Sequence, residues 1–96
     1  MSGRVLVAGV GVAPFATPRK ADPYDVMAEF AIRAALADAA IEFDHLQHAY
    51  AGYVYGDSTS GQQAVYRVGT TGIPIVNVNN NCSTGSSALW LAPSGR

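Results

Sequence analysis

The chain has one cysteine, one tryptophan and two histidines in 96 residues, and only 14% of it is charged. Each scarcity excludes something. A lone Cys82 cannot close an internal disulfide, so this is no disulfide scaffold, and a reducing compartment suits it. The basic residues Arg4, Arg19, Lys20, Arg33, Arg67 and Arg96 are scattered, and the net charge is −1. No basic nucleic-acid surface and no acidic tail follow from that balance. No apolar run is long enough to span a membrane, and no signal-peptide core follows Met1. Internal repeats and low-complexity segments are absent as well.

What remains is an ordinary globular composition in a short chain. Ninety-six residues fit one small domain at most. A chain of this size buries only about 60–65% of its unfolded surface, so its stability margin is thin.

The apolar pattern predicts alternating strands and helices. Arg4 to Val10 is a continuous valine-rich run, which reads as a strand buried on both faces. A loop with Pro14 and Pro18 follows. Asp22 suits a helix N-cap, Pro23 the first helical position and Asp25 the first turn. Val26, Phe30, Ala34, Ala37 and Ile41 then recur at three- and four-residue steps, as one apolar stripe of a helix ending near Ala39 or Ala40. Ala49 to Tyr55 reads as a second strand. Gly56 to Gly61 is a polar loop, and Gln62 to Val68 a short helix. Gly72-Ile73-Pro74 makes a turn before a third strand, Ile75 to Val78. A last helix runs from Ser83 to Ala92, where Pro93 and Gly95 stop it abruptly. The alternation predicts an α/β fold with a mainly parallel sheet. Leu89, Trp90 and Leu91 have no following element to cover them, so the α/β layer reads as unfinished.

Several motifs carry little chemistry. Gly9-Val10-Gly11 lacks the third glycine and the acidic partner of a dinucleotide fingerprint, and reads as a tight turn that needs glycine. His45 and His48 are three apart near Glu42 and Asp44, but no further ligands follow, so the segment reads as a solvated connector and no metal is expected. Tyr50, Tyr53 and Tyr55 lack the interleaved basic residues of a base-stacking platform. Asp57, in a Gly/Ser loop, reads as a turn-former.

Cys82 is different. It lies in Val76-Asn77-Val78-Asn79-Asn80-Asn81-Cys82-Ser83-Thr84-Gly85-Ser86-Ser87-Ala88-Leu89. A β-branched run precedes it and small, helix-compatible residues follow. The pattern predicts strand, sharp turn, helix, with the thiol at the helix N-terminus. Unpaired N–H groups and the helix dipole there favour a thiolate, the nucleophilic form. A free cysteine is also commonly a small buried hydrophobe. From context alone both readings stand open.

The runs Gly52 to Gln62 and Gly72 to Ser86 resemble those of thiolases, more narrowly the sterol-carrier-protein-type (lipid-transfer-protein) thiolases. Val7 to Gly11 and Ala34 to Ile41 fit the same family. The resemblance covers about residues 4–92, and its most specific part is Asn-Asn-Asn-Cys-Ser-Thr-Gly-Ser. It implies a partial thiolase-fold N-terminal half, an incomplete domain over residues 1–92 with residues 93–96 as a tail outside the family pattern. It also implies that Cys82 is the nucleophile accepting an acyl group from an acyl-CoA. CoA and acyl-CoA are then the substrates, with no further cofactor, and the full-length parent is a homodimer. In the degradative direction, a 3-oxoacyl-CoA and CoA give acetyl- or propanoyl-CoA and a shortened acyl-CoA. The family's histidine and second cysteine come from a C-terminal half and have no counterpart here. Neither His45 nor His48 matches, so neither inherits a role, and the fragment alone is expected to be inactive.

Members usually carry glycine where Ala40 stands. A left-handed alanine there would cost about 1 kcal/mol, so either the turn differs or the helix runs on. Two rivals stand beside the acyltransferase. One is a truncated, non-catalytic partner of a full-length subunit. The other is a carbon–carbon lyase of the same superfamily, which dispenses with the cysteine and so fits less well. The expected location is a bacterial cytoplasm, or the peroxisome for a eukaryotic parent, although no peroxisomal tripeptide ends the chain.

Overall fold

A computed structural model describes residues 4–17 and 19–95. The elements in chain order are α1 (Tyr24–Ala39), a 3-10 turn (Phe43–His45), β1 (Ala49–Gly52), α2 (Ser60–Tyr66), β2 (Ile75–Val78), α3 (Thr84–Leu91) and a 3-10 turn (Ala92–Gly95). β1 and β2 pair in parallel, with Ala49 opposite Ile75 and Gly52 opposite Val78. The chain is thus a small α/β unit with a two-stranded parallel sheet. Helix α2 is the crossover between the strands and packs on both of them and on α1, while α3 packs chiefly on β1.

The core is thin. Ala64 and Val65 of α2 and Ala88 of α3 are its buried apolar residues, joined by Ser60 and Thr84. Two polar devices hold it. The Asn77 Oδ1 on β2 accepts from the Gly61 N–H at 2.6 Å, and its Nδ2 donates to Gln62 Oε1 at 2.8 Å. An asparagine of the sheet thereby satisfies one of the orphan donors at the start of α2. Gly52 ends β1 where a Cβ would lie 2.6 Å from the Thr84 carbonyl oxygen. Only glycine lets the strand end come that close to the first turn of α3.

Residues 4–10 correct the sequence-based expectation of a strand. They join no ladder among the described residues, and most are exposed. The segment lies on α1 instead. A Cβ on Gly9 would meet the Ala35 carbonyl at 2.5 Å, and one on Gly11 the Ala31 carbonyl at 2.2 Å. The Val10 N–H donates to Asp38 Oδ2 at 3.0 Å. A groove of about 770 Å³, lined by Gly9, Ala35 and residues of β1, separates the segment from the sheet. Gly9 and Gly11 therefore serve close packing on a row of alanines; neither has the positive φ of the tight turn expected for them.

The packed face of α1 also differs from the expected stripe. Phe30 and Ala37 are exposed, and the row Ala31, Ala35, Ala39 meets the N-terminal segment. Pro23 takes the N-cap position in place of Asp22. At the far end of the chain, Pro93 does not halt the helix abruptly. The α-helix stops at Leu91 and tightens into the 3-10 turn, which a proline near its start tolerates because it needs no N–H there.

Helix α1 ends at Ala39, and Ala40 adopts the left-handed conformation with φ 56° and ψ 43°. Its N–H and the N–H of Ile41 bond back to Ala37 and Leu36, the closing pattern usually given to glycine. Ala40→Gly should therefore stabilise the chain. Relief of the left-handed cost, less the added freedom of the unfolded chain, comes to about 0.5–1 kcal/mol. Thermal melting should show a rise of a few degrees. A fall would mean that Ala40 is unstrained.

On the outer surface, Glu29 of α1 takes hydrogen bonds from Arg33 at 2.9 Å and Arg67 at 3.0 Å, and Asp25 lies 3.4 Å from Arg67. The bonds from Arg33 and then Arg67 hold the Glu29 carboxyl below its ordinary value of 4.5. A carboxyl lowered in the folded state adds stability that is present above its unfolded value and lost as pH falls through the folded one. Glu29→Gln should remove that component and flatten the loss of stability below about pH 4.5. Because the group is exposed, the effect is small. Denaturant midpoints of both proteins across that range would measure it.

Candidate functional site

The run from Asn79 to Ser87 links the end of β2 to α3, and side chains build its shape. Asn79 Nδ2 donates to the Val54 carbonyl at 3.0 Å. Asn80 Nδ2 donates to Ser87 Oγ at 2.8 Å. Asn81 is left-handed, with φ 50°, a conformation asparagine tolerates better than most residues. Its N–H points back to Asn79 Oδ1 at 3.3 Å, and Asn80 and Cys82 form an isolated bridge across it. Three asparagines thus make one sharp turn, which explains the composition of the motif.

Thr84 fixes that turn to the sheet. Its buried hydroxyl donates to the Val78 carbonyl at 2.8 Å, with the Tyr53 carbonyl at 3.3 Å, and accepts from the Asn80 N–H at 3.3 Å. Its own N–H bonds the Asn81 carbonyl at 3.1 Å. One residue therefore ties together the ends of both strands and the chain on the N-terminal side of Cys82.

Cys82 is exposed and lies one residue before Ser83, the N-cap of α3. The strand–turn–helix expectation is met. Ser83 does not cap the helix with its side chain; its hydroxyl donates instead to the Asn80 carbonyl at 2.9 Å. The first turn of α3 therefore keeps donors that no side chain caps, beside the thiol. A Cβ on Gly85 would meet nothing within 4 Å, so the approach to this turn is open.

The other residues weighed from sequence stay apart from Cys82. The Asp57 carbonyl accepts from the Ser60 N–H at 3.0 Å and Ser60 Oγ at 2.7 Å, as befits a turn-former. His45 sits in the 3-10 turn, and His48 meets Tyr50 edge-on with ring centroids 6.2 Å apart. No group of three or more His, Cys, Asp or Glu among the described residues is placed to hold a metal ion. Cys82 lines none of the principal grooves. The site is an exposed thiol on a hydrogen-bonded turn, and among the described residues neither histidine bonds to that turn. Sequence reasoning missed Thr84 and Asn77; their only outward signal was a polar residue at a position the pattern gives to the core.

No family model matches the chain. Individual proteins do. It is 53% identical over 94 residues to sterol carrier protein 2 of Bos taurus, covering 96% of this chain and 17% of that protein. With sterol carrier protein 2 of Oryctolagus cuniculus it shares 56% over 91 residues, 92% of this chain and 17% of the relative. The chain is a homologue of sterol carrier protein 2. Non-specific lipid-transfer protein-like 2 of Caenorhabditis elegans is 42% identical over 90 residues, 92% of this chain and 22% of that protein. The chain therefore spans only about a fifth of the length of these relatives or less. No helix among the described residues is long and apolar enough to cross a membrane.

Proposed function

We propose that the chain is the nucleophile-bearing N-terminal segment of a thiolase-type acyltransferase acting on acyl-CoA. Residues 1–92 would be its incomplete N-terminal domain and 93–96 a tail outside the family pattern. The observation that carries this reading is the placement of Cys82, exposed before an uncapped helix and presented by the left-handed Asn81 turn that Thr84 anchors. Such a turn holds a nucleophile at a fixed point with little freedom to lose. Relatives named for sterol and lipid carriage support a substrate with a fatty or sterol-derived chain.

In the proposed step the Cys82 thiolate attacks the 3-oxo carbonyl of a 3-oxoacyl-CoA. The bond between its α- and β-carbons breaks, and the acyl group stays on sulfur as a thioester. The departing acetyl-CoA carbanion takes a proton from a general acid, and CoA, its thiol deprotonated by a base, then lifts the acyl group off Cys82. The uncapped N–H groups of α3 suit the developing oxyanion. The base and the remaining donors belong to sequence beyond these 96 residues, since Cys82 is the only cysteine and neither histidine approaches it through a hydrogen bond. In the longer parent the assembly is expected to be a homodimer.

For the 96 residues alone, acetoacetyl-CoA and CoA should give no turnover. Loss of a positioned base and of oxyanion donors typically costs several orders of magnitude. The check is the absorbance of the 3-oxoacyl-CoA after CoA is added. Multiple turnovers that vanish in Cys82→Ala would contradict the incompleteness of the site. A second reading, lipid binding without chemistry, draws on the relatives' names and on the apolar grooves beside α1. It predicts saturable uptake of a fluorescent fatty acid that is indifferent to Cys82→Ala.

A further inference from the structure

Asn79 is exposed, yet its side chain holds two separate pieces of chain. Nδ2 donates to the Val54 carbonyl at 3.0 Å, in the loop after β1, and Oδ1 accepts from the Asn81 N–H at 3.3 Å. A carbonyl can only accept, so Val54 selects the Nδ2 edge of the amide and turns Oδ1 toward Asn81. The loop is itself fixed. The Tyr53 N–H donates to the Val78 carbonyl at 3.1 Å, and Ser60 Oγ donates to the Asp57 carbonyl at 2.7 Å. Asn79 is therefore braced against a loop held at both ends.

Asn81 is where that brace acts. Its φ of 50° sets the direction in which the chain enters Cys82, the next residue. The chain beyond the thiol is tied down separately. The Ser83 and Thr84 N–H groups bond the Asn80 and Asn81 carbonyls, both at 3.1 Å, and the Thr84 hydroxyl bonds the strand ends. Both Asn79 bonds lie at the surface, where water can replace them at little cost to folding. Their effect falls on the shape of the turn more than on stability.

We propose that Asn79 is a positioning residue for acyl transfer, aiming the Cys82 thiol by holding Asn81 in its left-handed conformation. The inference rests on the acyltransferase reading above.

Two reactions of the 96-residue chain, each followed by intact mass, test it in the unaltered protein and in Asn79→Ala. One is acetylation by acetyl-CoA. The Cys82 sulfur bonds the acetyl carbonyl carbon, the carbon–sulfur bond to CoA breaks, and the thiol proton ends on CoA. The other is alkylation by iodoacetamide, which reaches any exposed thiol. Asn79→Ala should be acetylated about tenfold more slowly, while its alkylation stays within about twofold and its melting temperature barely moves. Asn79→Ser, whose hydroxyl can still accept from an N–H two residues on, should recover part of the rate. The Cα and Cβ chemical shifts of Asn81 give a second measurement, left-handed in the unaltered chain and outside that region in Asn79→Ala. Equal acetylation rates would overturn the proposal. So would acetylation and alkylation falling together, which means a thiol less available, not one misdirected. Acetylation too slow to measure in both chains bears on the acyltransferase reading alone, and the shifts then decide: an Asn81 left-handed in both chains would overturn the role given to Asn79.

Discussion

Cys82→Ser, made in the longer acyltransferase proposed as the parent of this chain, is expected to lower thiolysis of a 3-oxoacyl-CoA roughly a thousandfold or more. The substitution changes one atom on the exposed face of a turn. It leaves the Asn81 conformation, the Thr84 bonds and the packing of α3 on β1 in place, because none of them uses the sulfur. What it removes is the sulfur nucleophile. A serine hydroxyl is hardly ionised near neutral pH and needs a dedicated base, and no described histidine is hydrogen-bonded to this turn. Rates of substrate loss for parent and variant, with melting curves to show that both fold, make the comparison. Equal rates would remove Cys82 from the chemistry.

Thr84→Val should give the largest loss of stability of any conservative substitution in the chain, about 2 kcal/mol. Valine keeps the shape and discards the hydroxyl. The Val78 carbonyl then loses its 2.8 Å donor and the Asn80 N–H its acceptor, at a buried position where water does not readily replace them. Unpaired buried groups cost more than the bond was worth. Thr84→Ser keeps the hydroxyl and loses a methyl, so it should cost only about 1 kcal/mol. In a chain with so few buried side chains the difference is a large share of the total. Urea midpoints of the three proteins settle it; equal losses for Val and Ser would mean that packing, not the hydroxyl, is what Thr84 supplies.

Much of the fold was legible where local chemistry decides. Ile75 to Val78 is a strand where it was expected, since a β-branched run follows Gly72-Ile73-Pro74. Helix α1 ends at Ala39 as its periodicity implied. The turn before α3 could be read from three asparagines, a cysteine and a following set of small residues. The failures occurred where a partner decides. A valine-rich run becomes a strand only if another strand takes its hydrogen bonds, and residues 4–10 found the alanine row of α1 instead. Their two glycines, read as turn residues, are the reason that contact is close. Asn77 and Thr84 were passed over because a sequence shows neither which backbone groups are left orphaned nor which side chain will reach them. At the site, the thiol and its turn were legible in one stretch. The uncapped start of α3 was not, since Ser83 looked like a capping residue and spends its hydroxyl on Asn80.

Acyl transfer onto Cys82 is the centre of the account, and peptide mapping tests it most directly. The 96-residue chain is incubated with acetoacetyl-CoA, quenched in acid and digested, and the acylated residue is located by tandem mass spectrometry. The account predicts slow acylation that stops at no more than one acyl group per chain, carried by Cys82, released by hydroxylamine as a thioester and absent from Cys82→Ser. Acylation of Lys20 and other surface groups that persists in Cys82→Ser, or an adduct that turns over when CoA is added, would contradict it.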